Sequence, residues 1–390
     1  MTESPGLGDV LARVIAETSD LPPSELGRAV DIVGDALGAT SARVLIADYS
    51  LVSLQELGRN GPTDPREAID GSLAGRAFAR GELVVVGSDP ASVWVPLRDG
   101  SERLGVLELT HPAWSDDLVP ALDAVVRVLV LLLISLRRYT DIILRGRRAR
   151  PLSLAAEMQW DLLPPLTAVG SGVSLSGIVE PAYAIGGDSF DYALNPGRAE
   201  FAIIDAVGHG MSAVSISGLV INSLRNARRE GHDLPSAYLN TGSAIRAQFG
   251  NSLFVTGQIA SLDLETGELT WINAGHPLPL LVRDGSFAGE LACRPSLPMG
   301  LGGEVVEMAT VRLQPGDRVL FYTDGSVESR SPAGEPFGLP RLVDFLVRAA
   351  RDGFPPAETV RRLAATLMSH TESNLRDDST LLIVDYQGRR

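Results

Sequence analysis

Four short stretches in the second half of the chain place aspartate where chemistry could be done. They are AIGGDSFD with Asp188 and Asp191, IIDAVGHG with Asp205, YTDGSVE with Asp324 and Glu328, and RDDST with Asp377 and Asp378. One Gly-Gly-Asp by itself reads as a turn, because glycine accepts positive φ and aspartate tolerates tight turns. Four such acid sites, three of them beside strongly apolar runs (FAIID, VLFYTD, STLLIVDY), call for a different account. Carboxylates that converge without basic partners repel one another or take up protons. Mg2+ or Mn2+ removes that repulsion and prefers oxygen ligands. Two such ions about 3.5–4 Å apart can hold a hydroxide and polarise a phosphoryl oxygen, the arrangement of two-metal hydrolysis. A calcium site competes as a reading, although no EF-hand pattern occurs.

These acids need strands to bring them together. From Val173 onward the runs VSLSGIVEP, AEFAIIDA, FVTGQIASLDL, ELTWINA, PLPLLVRDG, VEMATVRL, RVLFYTDG and STLLIVDY alternate with turns. Helical patterns interrupt them at about 210–229, 235–250, 339–350 and 356–370. This predicts a largely antiparallel pair of sheets with helices packed outside. Strand ends at one edge of such a pair meet in space however far apart they lie in sequence. The stretch SLAAEMQWDLLPPL leads into this region, and Pro164-Pro165 breaks its helix.

The first third reads as a smaller α+β module. SELGRAVDIVGDALG predicts an amphipathic helix with Ser24 as N-cap and Gly38 as its stop. ARVLIAD predicts a strand, GSLAGRAFAR a short helix and ELVVVG another strand, followed by a hairpin turning at Asp99-Gly100. A long helical segment then runs from Asp116 to Arg148. Its Leu122, Val125, Leu129, Leu132, Leu136, Tyr139 and Ile143 form a heptad seam, which predicts a parallel homodimer through this linker helix. The alternative is a helix packed on its own domain. Its most apolar part, VVRVLVLLLISL at 125–136, is too short for an uninterrupted span and carries Arg127, so no stable membrane insertion is expected.

Composition narrows the function classes. The formal charge is −14, which offers no basic footprint for nucleic acid. Every one of the 34 basic Lys or Arg residues is arginine, which excludes a Schiff-base or P-loop lysine. The one cysteine, Cys293, cannot build a disulfide framework, and this points to a reducing, cytoplasmic setting. The acidic start, MTESPGLGDV, lacks the apolar region of a signal peptide.

IGGDSFDY, IIDAVGHGMSA, NAGHPLPLL, LFYTDGSVESRSPAGEPFG and RDDSTLLIV resemble the ordered motifs of the metal-dependent protein serine/threonine phosphatases, the PPM or type 2C family, in its bacterial sporulation and stress-response branch. AAEMQWDLLPP is similar to the linker that enters the catalytic domain there. The resemblance implies an αββα sandwich, two stacked antiparallel sheets flanked by helices, with two Mn2+ or Mg2+ ions at one edge. It implies that Asp205 bridges both metals, that the Ala206 carbonyl lies on the first, that Asp188 ligates the first directly or through water, and that Asp324 and Asp377 complete the second. Asp188, Asp205, Asp324 and Asp377 are then the catalytic set; Asp378, Asp191 and His209 are candidates for support, with Asp378 backing Asp377 or exchanging roles with it. Ala206 departs from the glycine common at that position, and no arginine is assigned to the substrate phosphate. The implied substrate is a phosphorylated regulatory protein such as an anti-sigma-factor antagonist. GSLAGRAFARGELVVV and VPLRDGSERLGVLEL resemble the GAF sensor family, which implies an unknown small ligand there.

The resulting organisation is a flexible N-terminus over 1–19, a GAF-like domain over 20–115, a helical coiled-coil-like linker over 116–163 and a phosphatase domain over 164–390. His209 is a general-acid candidate set against a plain loop histidine, and His276 reads as a turn residue at the sheet edge. Glu328 caps or supports the site without ligating, and Cys293 is a packed residue. A catalytically degenerate signalling scaffold is the alternative function. A protein anchored to a membrane by residues 118–136 is a third.

Overall fold

A computed structural model describes residues 7–58, 61–62, 66–184, 186–208, 210–250, 252–303, 305–375 and 377–388. The chain divides into two compact units, Met1–Pro151 and Leu152–Arg390. The division falls before the AAEMQWDLLPP helix, so that helix belongs with the acid-rich unit and not with a linker ending at 163.

The N-terminal unit contains α1 (Leu7–Thr18), α2 (Leu26–Ala36), β1 (Ser41–Ala47), β2 (Ser53–Gly58), β3 (Gly61–Pro62), β4 (Glu67–Ala68), α3 (Leu73–Arg80), β5 (Val84–Val86), β6 (Ala91–Asp99), β7 (Glu102–His111), α4 (Val119–Leu136) and α5 (Ile142–Gly146). Its sheet runs β3-β2-β1-β7-β6-β5, with β4 beside β2. Gly38, at φ +72, follows the end of α2 as expected. Ser24 is not the N-cap, because Pro23–Glu25 forms a 3-10 turn ahead of the helix.

The heptad seam has a different fate from the one its spacing predicts. The helix stops at Leu136, and Tyr139 beyond it is 75% exposed. Leu122, Val125 and Leu129 are buried in one core with Val14 of α1, Val33 of α2 and Leu107 of β7. Those seam residues are covered by their own sheet and helices and are not free to face a parallel partner. The helical stretch Asp116–Leu136 is long and apolar enough to cross a membrane by length and composition alone, longer than the run read from sequence. Its seam residues lie in this core.

The C-terminal unit contains α6 (Leu154–Leu162), β8 (Thr167–Gly170), β9 (Val173–Glu180), β10 (Ser189–Asn195), β11 (Arg198–Ala206), α7 (Met211–Arg229), α8 (Leu234–Phe249), β12 (Val255–Asp263), β13 (Glu268–Ala274), β14 (Leu280–Arg283), β15 (Ser286–Glu290), β16 (Met308–Arg312), β17 (Arg318–Tyr322), α9 (Gly325–Glu328), α10 (Leu339–Arg351), α11 (Pro356–His370) and β18 (Ser379–Tyr386). One sheet runs β10-β11-β12-β13-β16 and the other β15-β14-β17-β18-β9-β8, with every pairing antiparallel. This is the expected pair of stacked antiparallel sheets flanked by helices.

Side chains alternate across each strand, so parity decides what each residue meets. Ala202, Ile204 and Ala206 of β11 join the core under α7 and α8. Phe201, of the opposite parity, meets Phe321 of β17 edge-to-face at 5.2 Å. The inter-sheet face of β11 is therefore Phe201, Ile203 and Asp205. It is apolar in the middle and acidic at the end that leads to the turns. Three strands of this unit escaped the sequence reading: β8, β10 and β15. β10 lies directly after the Gly-Gly-Asp turn, and its Phe190, Tyr192 and Leu194 carry the alternation that marks it.

Candidate metal centre

Asp205 ends β11 on the inter-sheet face. Burial, and then the charges of Asp324, Asp377 and Asp378, push its pKa up to about 7, an effect eased by a hydrogen bond with Asp188. The three charges that act on it most are all negative. The strands from both sheets therefore do deliver their acids to one place, as the four motifs predict.

Asp188 is 2% exposed. Burial first, then Asp205 and Asp378, hold its carboxyl well above the usual carboxylate range. The Thr323 hydroxyl donates to its Oδ2 at 2.7 Å and fixes the direction of the group. Its backbone is pinned as well. Gln159 Nε2 of α6 donates to the Asp188 carbonyl, and the Ser217 hydroxyl of α7 donates to the Gly187 carbonyl.

The two glycines have separate uses. The amides of Gly186 and Gly187 donate to Asp378 Oδ2 at 2.9 and 2.6 Å. A Cβ on Gly187 would lie 2.5 Å from the Ala206 carbonyl oxygen. Only glycine lets this loop approach the carbonyl that the resemblance puts on the first metal. Asp378 thus does more than back Asp377: its carboxylate grips the Gly-Gly-Asp loop from the far end of the unit. Asp377 is in turn held by the Asp378 amide, which donates to its Oδ1 at 3.0 Å.

Asp324 leaves β17 and opens the single turn of α9. Burial, with the charges of Asp377 and then Glu328, raises its pKa. Gly325 next to it sits hard against the other acid turn, since a Cβ there would be 1.9 Å from the Asp378 carbonyl oxygen.

Asp191 does not join the cluster. It lies three residues after Asp188, but β10 turns it to the helix side of the sheet. There it accepts from Arg225 at 2.7 Å and Arg228 at 3.0 Å on α7. This fork ties the Gly-Gly-Asp strand to α7 and supplies no ligand. Asp191→Ala removes the acid from a buried pair and is expected to destabilise the unit by roughly 3 kcal/mol. Metal-dependent activity per folded molecule should persist, and chemical unfolding alongside an activity assay checks both. His209 lies outside the described residues. Glu328 is exposed and acts on Asp324 through its charge.

Among the described residues no group of three or more acid, histidine or cysteine side chains is arranged to hold a metal ion as it stands. Yet Asp205 feels the charges of Asp324, Asp377 and Asp378 and shares a hydrogen bond with Asp188. The two observations are compatible, because carboxylates that repel one another stand around a space, not around a point. The mutual repulsion is the more informative of the two about chemistry. An oxygen-only donor set with excess negative charge and a nearby backbone carbonyl suits Mg2+ or Mn2+. The donor types at this edge fit divalent cations, although the acids are not drawn together around one.

The acid charges also set a pH dependence. For Asp205 the folded pKa, about 7, lies above the ordinary value of 3.8. Between these values the folded protein binds the extra proton, so stability falls as pH rises through that window. The unfolding temperature in chelator should therefore be lower at pH 8 than at pH 5. Added Mn2+ should raise it more at pH 8, and scanning calorimetry at both pH values tests this.

Residues 195–387 match the model of the Stage II sporulation protein E family, SpoIIE. The C-terminal unit belongs to the SpoIIE family. The SpoIIE match spans Asp205, Asp324, Asp377 and Asp378 and begins just after Asp188. Protein IcfG of Synechocystis is 24% identical over 266 residues, 61% of this chain but 39% of IcfG, so the chain spans about two fifths of that relative. Phosphoserine phosphatase RsbU of Bacillus subtilis is 21% identical over 287 residues, covering 72% of this chain and 83% of RsbU. The SiaA-PP2C domain of Pseudomonas aeruginosa superposes with a TM-score of 0.51 at 23% identity, over 60% of this chain and 94% of that domain. That likeness concerns the fold, and it is the PP2C fold of the SpoIIE unit.

Several residues that hold the site went unread in the sequence. Thr323 had a signal, because it precedes Asp324 inside YTDG and shares the inter-sheet parity of Phe321. Gln159 and Ser217 had none, since each acts on a backbone carbonyl brought near by tertiary folding.

Proposed function

We propose that the C-terminal unit is a metal-dependent protein serine/threonine phosphatase acting on a phosphorylated regulatory protein, controlled by the N-terminal unit. The observation that carries this reading is the gathering of Asp188, Asp205, Asp324, Asp377 and Asp378 at one end of the two sheets, with Asp378 on the Gly-Gly-Asp loop and Thr323 on Asp188. The family membership of the unit and its relation to a phosphoserine phosphatase support it.

Asp188, Asp205, the Ala206 carbonyl, Asp324 and Asp377 would hold two Mn2+ or Mg2+ ions. Bound there, the ions supply an acidified water and neutralise phosphoryl charge in the transition state. The chain's own part is placement. Asp378 and Ser217 fix the Gly-Gly-Asp loop, Thr323 aims Asp188, and the Gly325 contact brings the two acid turns together. Such positioning is what in-line displacement needs, because small misplacement costs much of the rate. Asp205, carrying a proton near neutrality, becomes fully ionised when cations occupy the edge.

The control element is α6. Ser153 caps it, Gln159 holds the Asp188 carbonyl, and Trp160 Nε1 donates to the Ala182 carbonyl at 2.8 Å. A shift of this helix moves the backbone of a ligand. The N-terminal unit is read as a GAF-like sensor for a small ligand, and the setting as cytoplasmic. The substrate is read as an anti-sigma-factor antagonist.

The test is phosphate release from a phosphoserine peptide by the full chain, with Mn2+ and with chelator. Release should require Mn2+ and vanish in Asp324→Asn. Equal release in chelator, or full activity in that variant, would falsify the reading. A different rate for Leu152–Arg390 alone would show control by the N-terminal unit.

A further inference from the structure

His276 sits in the loop between β13 and β14, and its place is tightly specified. The Asn273 side chain brackets it: Nδ2 donates to the His276 carbonyl at 2.9 Å, and Oδ1 accepts its amide at 2.7 Å. Gly275, at φ +69, lets the chain turn between them. The bracket drives the imidazole into the interior, where the residue is 6% exposed. Burial pushes its pKa down to about 3, so the ring is neutral and has one donor and one acceptor.

One side of the ring meets β12, the neighbour of the strand that carries Asp205, and the other meets the end of β17, which leads to Asp324. Nδ1 is 3.2 Å from the Thr256 hydroxyl. Thr256 of β12 is the direct cross-strand partner of Asp205 on β11. Facing residues of an antiparallel pair put their side chains on one face, so Thr256 stands beside Asp205. The other side of the ring backs onto the Tyr322 backbone, at the end of β17 and two residues before Asp324. One ring thus touches both sheets, next to the strand ends that deliver Asp205 and Asp324. The contact with Thr256 is closed. Nε2 is buried with no closed hydrogen bond. A tight end and a slack end are what a strut between two movable sheet edges would show.

We propose that His276 is a positioning residue that sets the separation of Asp205 and Asp324 across the two sheets. Its Nδ1 accepts from Thr256, and its Nε2–H closes onto the Tyr322 carbonyl when the acids draw in around cations. The ring touches no substrate and transfers no proton. The inference rests on the phosphatase reading for the cations but on the geometry above for the strut.

Three variants of the full chain test it: His276→Asn, which retains an acceptor near Nδ1 but loses the reach to Tyr322; His276→Ala, which loses both contacts; and Thr256→Val, which removes only the hydroxyl. Mn2+ affinity is measured by titration calorimetry, unfolding temperature in chelator, and kcat and KM on a phosphoserine peptide. A loss of 10–100-fold in Mn2+ affinity is expected for His276→Ala, as for other outer partners of metal ligands. His276→Asn and Thr256→Val should each lose part of it, with kcat lowered and KM unchanged. If His276→Ala fails to fold, the other two still decide the matter. Wild-type Mn2+ affinity in the folded variants, with only the unfolding temperature in chelator lowered, overturns the inference and leaves the phosphatase reading intact. A wild-type chain that binds no Mn2+ and releases no phosphate overturns both.

Discussion

Asp205→Asn should lose Mn2+-dependent phosphoserine hydrolysis by roughly 10²–10³-fold or more, the scale of one preorganised electrostatic group or a metal position. The same change should stabilise the metal-free protein. Asp205 is the point at which the negative charges of Asp324, Asp377 and Asp378 meet, and its carboxyl is held near pKa 7 by them and by burial. Asparagine keeps the shape and removes one charge from that repulsion. Its unfolding temperature in chelator should therefore exceed that of the wild type at pH 8, and its response to Mn2+ should be largely gone. A residue that matters only to the fold would behave oppositely, losing stability and retaining activity per folded molecule. Thermal unfolding with and without Mn2+, run beside the activity assay, separates the two. Retained activity, or a lower unfolding temperature in chelator, would remove Asp205 from the centre. Loss of function with gain of stability is the signature of a site built against its own electrostatics.

Gly325→Ala should be nearly as damaging by a wholly different route. No charge changes. The added Cβ would lie 1.9 Å from the Asp378 carbonyl oxygen, which is backbone and cannot swing aside. The turn of Asp324 and the turn of Asp377 and Asp378 must separate. Overpacking of this kind costs about 1–3 kcal/mol. Separating two ligands by about 1 Å can cost on the order of 10²-fold in rate. The matching control is Gly218→Ala in α7, where a Cβ meets nothing within 4 Å. There the substitution should be neutral, or stabilising by up to about 1 kcal/mol, because alanine favours helix over glycine. If both alanines leave kcat unchanged, close approach of the two acid turns is not needed for the reaction.

The two-sheet architecture was readable because most of its strands are apolar or alternating runs bounded by turns and its long helices carry their own period. The four acid turns were readable because apolar runs ended in them. Asp191 was misread for a specific reason. Both faces of β10 are covered, one by the opposite sheet and one by α7, so local pattern does not say which face looks toward the acids. The arginines that claim it, Arg225 and Arg228, lie about four helical turns into α7 or more, and no spacing rule links them to β10. The heptad seam misled in a similar way. A regular apolar stripe says that a helix is covered, and it does not say by what. In this chain α1, α2 and the sheet of its own unit cover it. Asp378 was placed in the right cluster, but its partners, the amides of Gly186 and Gly187, depend on a contact across most of the unit. Contacts between a carboxylate and a distant backbone leave no trace in residue type.

That contact has a bearing on how the protein comes into being. β18 is the last strand of the unit, yet it lies in the interior of its sheet between β17 and β9. Asp378, which grips the Gly-Gly-Asp loop, immediately precedes it. Synthesis proceeds at about 5–20 residues per second with earlier segments folding first. A nascent chain therefore carries Asp188, Asp205 and Asp324 for some seconds before anything can close the loop or join the two halves of that sheet. A ribosome-bound or prematurely ended chain has the acids without the edge that gathers them. On the phosphatase reading, hydrolysis would then begin only once this last strand is in place.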